Sequence, residues 1–548
     1  MTNHRVTHSV SLFSSLIALS LFTATLPINS SAANVPEGTQ LAKKQEFVRS
    51  NGAEPATLDP HKVEGVPESN IVREMFEGLL IQDADGNLLP GVAESWETSD
   101  NQVYTFKLRD TAKWSNGDPV TAEDFVYSFR RVVDPATASP YAWFLEMAQI
   151  KNSAQIIKGE AKPETLGVKA LDEHTLEITL ESPLPYFINM TAHTTMVPAH
   201  RATVEKYGDK WTSPENIVSN GAYKLSNWVV NEKIEMVRNE QYWDNEHTVV
   251  NKVTFLPIEN QVTDMNRFLA GDTDMTYEMP LEHFKRLKKE HPESVKVTPY
   301  LCSYYYEFNN EKAPFDDVRV RKALSYAINR DIITDNILGM GQLAAYNFAH
   351  QKVAGFKAEP TDYSQMTQAE RDAKAKALLE EAGFGADKPL SFTLLYNTSE
   401  NHKKIAVAVA AIWKKTLGVA VKLENQEWKT FLETRTAGNH EVARAGWCGD
   451  YNEASTFLSL MQSNNGNNHA KYYSDEYDQI MKNALSAKTT EERSQLYAQA
   501  EQLLAKDMPI APIYHYVNAR LVSPKVGGYP MNNAEDNIYS KDLYMIAE

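Results

Sequence analysis

ARAGWCGDYN, residues 443–452, sets an Arg, a Trp, a Cys and an Asp within seven positions, with two glycines among them. Three chemistries fit such a cluster: the catalytic end of a strand, a metal site, or a place that holds charge without reacting. The simplest account is a strand closing into a turn, with Arg444 and Asp450 solvated or paired. If 442–450 is extended, Val442, Arg444, Gly446, Cys448 and Asp450 point to one side and Trp447 to the other. Arg444 and Asp450 then lie about 20 Å apart, at ~3.3 Å per residue, and cannot pair without a sharp turn. A cation and an anion so spaced complement a molecule with an amine at one end and a carboxylate at the other. Gly446 and Gly449 leave room for a second backbone to approach. A short peptide is such a molecule.

The rest of the chain offers little competing chemistry. It has no G-x-S-x-G elbow, no G-x-x-x-x-G-K-[ST] phosphate loop and no G-x-G-x-x-G turn. DADGN (83–87) resembles part of a calcium loop but lacks the ligand spacing and closing Glu of an EF-hand. Between LLIQ and LLPGV it reads as a hairpin turn. Carboxylate pairs for glycoside hydrolysis stay open, because two acids can meet from anywhere in a chain. The two cysteines, Cys302 and Cys448, form no CxxC, and the fourteen His show no HExxH, so neither a metal nor another cofactor is expected. In an oxidising compartment an even cysteine count favours a disulfide, with two buried free thiols as the alternative. Closing so long a loop contributes roughly 4–5 kcal/mol on a chain-entropy argument.

The N-terminus reads as an export signal. MTNHRVTHS carries Arg5, VSLFSSLIALSLFTATL (10–26) is uncharged and apolar, and NSSAAN offers small residues for cleavage near Ala32 or Ala33. A membrane anchor fits less well, because the cleavage site follows at once and several Ser and Thr interrupt the apolar run. With no Cys after that run, a lipid anchor is not expected, and the mature protein should be exported and soluble. Cleavage removes one Arg and no acid, taking the formal charge from −17 to −18. That acidity disfavours nucleic acid and anionic membranes as partners. About 515 residues remain, too many for one core, so two or three domains are expected.

Strand and helix signals are mixed throughout. VYTFKLR (103–109) alternates Tyr104, Phe106 and Leu108 with polar residues, as a half-buried strand does. TAEDFVYSFRRVVD (121–134) has Thr121 as N-cap and Asp124 in the first turn, with Phe125, Val126, Phe129, Val132 and Val133 on one face. FDDVRVRKALSYAINR (315–330) repeats the logic through Val320, Leu324, Ala327 and Ile328. In TTEERSQLYAQAEQLLAKD, Thr489 and Glu492 have capping-box spacing ahead of Leu496, Ala500 and Leu503. No long linker or internal repeat separates domains, which suggests that they interleave.

Several longer blocks carry a family likeness: LDPHKVEGVPESN (58–70), FKLRDTAKWSNGDPVTAEDFVYS (106–128), NGAYKLSNWVVNE (220–232), PFDDVRVRKAL (314–324), LLYNTSENHKK (394–404), ENQEWKTFLETR (424–435) and ARAGWCGDYNE (443–453). In these the chain closely resembles the periplasmic oligopeptide-binding proteins of bacterial ABC importers, within the peptide/nickel family of extracytoplasmic solute receptors. The likeness runs from about residue 45 to the C-terminus. It implies an α/β, two-lobed periplasmic-binding-protein fold with three domains and a ligand cleft closed by a hinge. The signal peptide then covers 1–32. Domain I takes 33–76, 201–301 and 518–548, domain II 77–200 and domain III 302–517. The likeness also implies a Cys302–Cys448 disulfide.

The resemblance implies site roles residue by residue. Asp450 matches the Asp that receives a peptide's N-terminal ammonium. Arg444, Arg435 and His402 fall on positions that meet C-terminal carboxylates of peptides of differing length. Glu64, Val66, Tyr141, Trp428, Gly446, Trp447 and Tyr516 match lining positions. Plain alternatives exist: Arg435 and His402 as surface groups, Trp428 and Trp447 as core. One departure is Leu338, where broad-specificity members carry Lys. YPMNNAEDNIYS and NTSENHKK also look like a murein-tripeptide-binding relative, so that narrower specificity stands behind general oligopeptide uptake. The expected protein is a monomeric, non-catalytic receptor whose partners are short peptides and the permease subunits of an ABC importer. A secreted peptidase is the remaining alternative, and it would need a nucleophile with a base, or a metal-bound water.

Overall fold

The computed structural model describes Met1 and residues 33–547, so all of the expected signal peptide, 1–32, except Met1 lies outside the described residues. Among the described residues no helix is long and apolar enough to cross a membrane.

Two long strands, Val295–Phe308 and Ile510–Leu521, run antiparallel through the middle of a six-stranded sheet. From Leu301 to Phe308 and from Ile510 to His515 every residue is buried. Such a run is covered on both faces and shows no polar alternation. The pairing slips between Pro299 and Ser303 and again between Tyr304 and Tyr305. Strand Val442–Cys448 flanks Val295–Phe308 on its other side, with Tyr306 opposite Arg444, Tyr304 opposite Gly446 and Cys302 opposite Cys448. The two cysteines are bonded to each other across this pair. Beyond Val442–Cys448 come Ser391–Asn397 and Ala420–Gln426, both parallel.

Two further four-stranded sheets stand apart in topology. One joins Glu46–Ser50 to Lys252–Leu256, Lys233–Arg238 and Tyr223–Val229, so the N-terminal strand pairs with chain two hundred residues on. The other is an antiparallel sheet formed by Ala93–Glu97, Val103–Leu108, Thr175–Thr179 and Val168–Asp172. The mixed α/β class is as expected.

Local rules account for the elements around these sheets. Strand Val103–Leu108 buries Tyr104, Phe106 and Leu108, and DADGN turns the hairpin between Leu80–Gln82 and Leu88–Pro90. Helix Ala122–Val133 starts at a complete Thr121–Asp124 capping box and buries its apolar stripe. Helix Thr490–Asp507 corrects the expected box. Thr489 accepts from the Glu492 N–H, but Glu492 reaches past Thr489 to the Lys488 N–H.

Candidate functional site

The sheet register builds one pole of a cavity. Residues opposite one another in neighbouring strands share a face. Tyr304, Arg444 and Gly446 therefore crowd one side, with Tyr514 and Tyr516 arriving from the third strand. Tyr304 stacks on Tyr514 at 4.7 Å, and Tyr514 meets Tyr516 at 4.8 Å. On this aromatic bed the Arg444 guanidinium lies 4.9 Å over the Tyr304 ring. It donates to the Tyr516 hydroxyl at 2.6 Å and to the Asn397 Oδ1 at 3.2 Å. Gly at 446 leaves the guanidinium its place: a Cβ there would stand 2.9 Å from a terminal nitrogen of Arg444 and displace it. Among the described residues no carboxylate comes within ion-pair distance of Arg444, and its buried Nε has no acceptor.

The other pole sits where that strand ends. The strand stops at Cys448, and Asp450 follows in a bend, so the fully extended 442–450 segment is not what forms. Trp447 lies inside the extended part of the strand, paired with Ser303 on the alternate face, and still borders the cavity that Arg444, Gly446 and Asp450 line. The Asp450 backbone N–H is held by Thr456 Oγ1 at 2.8 Å. Its Oδ1 faces His193 Nε2 at 3.2 Å and accepts from the Tyr141 hydroxyl at 3.4 Å. Oδ2 is buried and receives no hydrogen bond from the protein. His193, Tyr141 and Trp447 form a stack, with ring centres 5.3 and 6.1 Å apart. The stack screens the carboxylate from water and strengthens any charge interaction made there.

The walls come from distant parts of the chain. Trp428 opens helix Trp428–Thr436 and donates its indole N–H to Glu68, in helix Val66–Met75, at 3.2 Å. Glu64 lies 3.6 Å from His469. Burial pushes the Glu68 carboxyl up to about 7, against the hydrogen bonds from Ala56 and Trp428. His402 stands in the first turn of Glu400–Leu417, whose N-cap is Ser399. Burial and the nearby Arg444 charge hold its imidazole well below its ordinary range, so it is neutral, and its Nδ1 has no partner. Arg435 is buried, with Nε and Nη2 donating to the two oxygens of Glu307 at 2.7 and 2.9 Å. Any ligand carboxylate reaching Arg435 must share it with Glu307.

All eleven residues singled out in the sequence line this one cavity, Val66 included. Space for the centres of water-sized molecules within it is about 230 Å³. Residues that no motif flagged complete it, among them Arg73, His193, Glu278 and Glu535. Glu535 lies in the YPMNNAEDNIYS stretch without being singled out there, and nothing in the local sequence distinguishes Arg73, His193 or Glu278. Among the described residues no group of three His, Cys, Asp or Glu is arranged to hold a metal.

The bacterial extracellular solute-binding proteins, family 5 (Middle), match residues 87–469. The chain is 56% identical to the periplasmic oligopeptide-binding protein OppA of Salmonella typhimurium, over 97% of this chain and 98% of that protein. Haemophilus influenzae OppA in complex with the peptide RPPGFSPFR superposes with a TM-score of 0.91 at 50% identity, covering 93% of this chain and all of that one. The Escherichia coli murein tripeptide binding protein MppA gives 0.92 at 50% identity, with the same coverage. The unliganded open form of MppA, covering 94% of this chain and 99% of that one, gives only 0.66 at the same identity.

Proposed function

The chain belongs to family 5 of the bacterial extracellular solute-binding proteins, and on that premise we propose that it receives short peptides in the periplasm and delivers them to the membrane permease of an ABC importer. As a solute-binding protein it is a receptor, not an enzyme. One observation carries the reading of the ligand. A single cavity presents a buried carboxylate oxygen without a donor, Asp450 Oδ2, and a guanidinium without a carboxylate, Arg444. A peptide's ammonium and carboxylate complete both.

The sheet supports a way to grip what lies between. Strand Val442–Cys448 pairs with 302–308 along its whole length on one edge, but on the other it meets 391–397 only at Val442 and Ala443. Residues 444–448 therefore keep a free edge towards the cavity. A peptide laid there adds as a strand, with hydrogen bonds that do not depend on its side chains. Water in the remaining space accommodates varied side chains. His402 supplies a neutral N–H, and Arg435 a shared cation, to longer ligands.

The same reading divides the chain as 33–76, 201–301 and 518–548 for one domain, 77–200 for a second and 302–517 for a third, after removal of 1–32. Each four-stranded sheet falls within one of these divisions, and only the two long central strands cross between them. The close superposition on MppA keeps murein tripeptide as the second candidate ligand. Mass spectrometry of ligand released from unfolded, freshly purified protein tests both. Linear peptides of mixed sequence are expected; a single murein tripeptide would select the narrower ligand, and calorimetry showing no binding of Ala-Ala-Ala or murein tripeptide would overturn the receptor reading.

A further inference from the structure

The cavity's charges do not balance. Among the described residues Glu64, Glu259, Asp264, Glu278, Asp450 and Glu535 line it without a Lys or Arg in ion-pair contact, against two such guanidiniums, Arg73 and Arg444. Burial pushes the Glu278 carboxyl up, and the nearby Arg444 charge offsets only part of that push. Glu535 belongs to the opposite pole. Its Oε2 accepts from Gln82 Nε2 at 2.7 Å, and Gln82 is fixed in turn by Asn537 Nδ2 at 2.6 Å. Among the described residues the donors to this carboxylate, Gln82 and Asn537, both reach Oε2 and none reaches Oε1. The Arg73 charge reaches it from the helix whose Ser69, one turn earlier, meets Thr194 at 3.3 Å. Thr194 follows His193, the residue against Asp450. Burial pushes the Glu535 carboxyl up to about 7, and the Asp450 charge adds to that push against Gln82 and Arg73.

Asp450 is spent on the ligand's ammonium if the receptor reading holds, and its side chain is only 8% exposed. Glu535, close enough to feel the Asp450 charge, is then a carboxylate left for what grows from the same residue of the ligand. We propose that Glu535, oriented by Gln82, forms a subsite that selects a basic side chain on the first residue of the bound peptide. A Lys or Arg there gains a charge-assisted hydrogen bond at Oε1 and relieves the repulsion between the two carboxylates. Arg73 limits the gain and disfavours nothing that is neutral. This rests on the peptide-receptor reading and deepens it.

Calorimetry on the mature, ligand-stripped protein at pH 7.5 tests it with Lys-Ala-Ala, norleucine-Ala-Ala, Ala-Ala-Lys and Ala-Ala-norleucine. Norleucine keeps the length of Lys without the charge. In the unaltered protein Lys-Ala-Ala is expected to bind about tenfold tighter than norleucine-Ala-Ala. Glu535→Gln should bring that ratio to about one, and Glu535→Asp should keep part of it. The ratio for Ala-Ala-Lys over Ala-Ala-norleucine should not follow the substitution. Equal binding of Lys and norleucine at the first position in the unaltered protein overturns the subsite, whatever the variants do. A ratio that survives Glu535→Gln, or a last-position ratio that falls equally, removes Glu535 from the role. Failure of every tripeptide to bind would sink the receptor reading instead, a distinct result.

Discussion

Asp450 accepts hydrogen-bond donors on one oxygen only. Tyr141 and His193 engage Oδ1 and so fix the carboxylate plane, while Oδ2 stays turned into the cavity without a donor. A buried carboxylate oxygen in that state costs free energy until a donor arrives, and a cationic donor repays most. Asp450→Asn keeps the shape and removes the charge. It should weaken free-amine tripeptides by ~10–100-fold, since a hydrogen bond to a charged group is worth about 1.5–3 kcal/mol. N-acetylated tripeptides, which bring no ammonium, should change by less than about threefold. Paired titrations read the ratio directly, and equal losses for both ligands would remove Asp450 from its role. Arg444 mirrors it with donors to spare, whereas Arg435 is already committed to Glu307.

That commitment ties two elements together, helix Trp428–Thr436 and strand Val295–Phe308, both through buried side chains. Burial pushes the Glu307 carboxyl up, but the Arg435 charge and its two hydrogen bonds overcome it and hold it at about 2. The folded value lies below the ordinary 4.5, so the contribution is complete above pH 4.5, declines as the pH falls and is lost below about 2. Its ceiling is ~3 kcal/mol, at about 1.4 kcal/mol per unit. Glu307→Gln should lower the melting temperature clearly at pH 7, and the gap from the unaltered protein should narrow as the pH drops from 5 towards 2. A gap of constant size across that range would show that the pair acts by packing alone. Neither partner's role shows in sequence, because strand and helix lie more than a hundred residues apart. Elements that bury one face were legible: Ala122–Val133 by its 3.6-residue period and cap, Val103–Leu108 by alternation. The long central strands, buried on both faces, offer no period to read. The site was legible only where ARAGWCGDYN concentrates it and where the family likeness names positions. His193, Arg73 and Glu535 converge on Asp450 by tertiary structure alone, and the bend after Cys448 replaced the extended run that the alternating pattern suggested.

At the scale of the molecule, the cavity exists only because distant segments meet across it. Tyr141 stacks on Trp447, Glu68 accepts from Trp428, Asn464 donates to Glu146 at 2.7 Å, and Lys404 pairs with Glu282. These few bridges are polar or aromatic contacts, individually worth about 0.5–1.5 kcal/mol. Against them stand the partnerless charges they enclose, Asp450 Oδ2 and Arg444 Nε among them. Without a ligand the enclosure is therefore poorly supported, and water-exposed walls satisfy those groups better. The match of 0.91 to peptide-bound OppA, against 0.66 to the unliganded open form of MppA, sets this conformation nearer the peptide-bound state than the open one. A ligand that neutralises both poles binds the closed state far better than the open one, and that difference drives closure. X-ray scattering in solution should show the ligand-stripped protein expanded beyond the ~24 Å radius of gyration of a compact chain this size. Saturating tripeptide should shrink it by roughly 1–2 Å, as hinge closure of two lobes does. Asp450→Asn should need a much higher tripeptide concentration for the same contraction, because closure and the ammonium contact share one free energy. If the ligand-stripped protein already scatters as the closed form and tripeptide leaves it unchanged, the cleft is preformed and the two poles do not drive it shut.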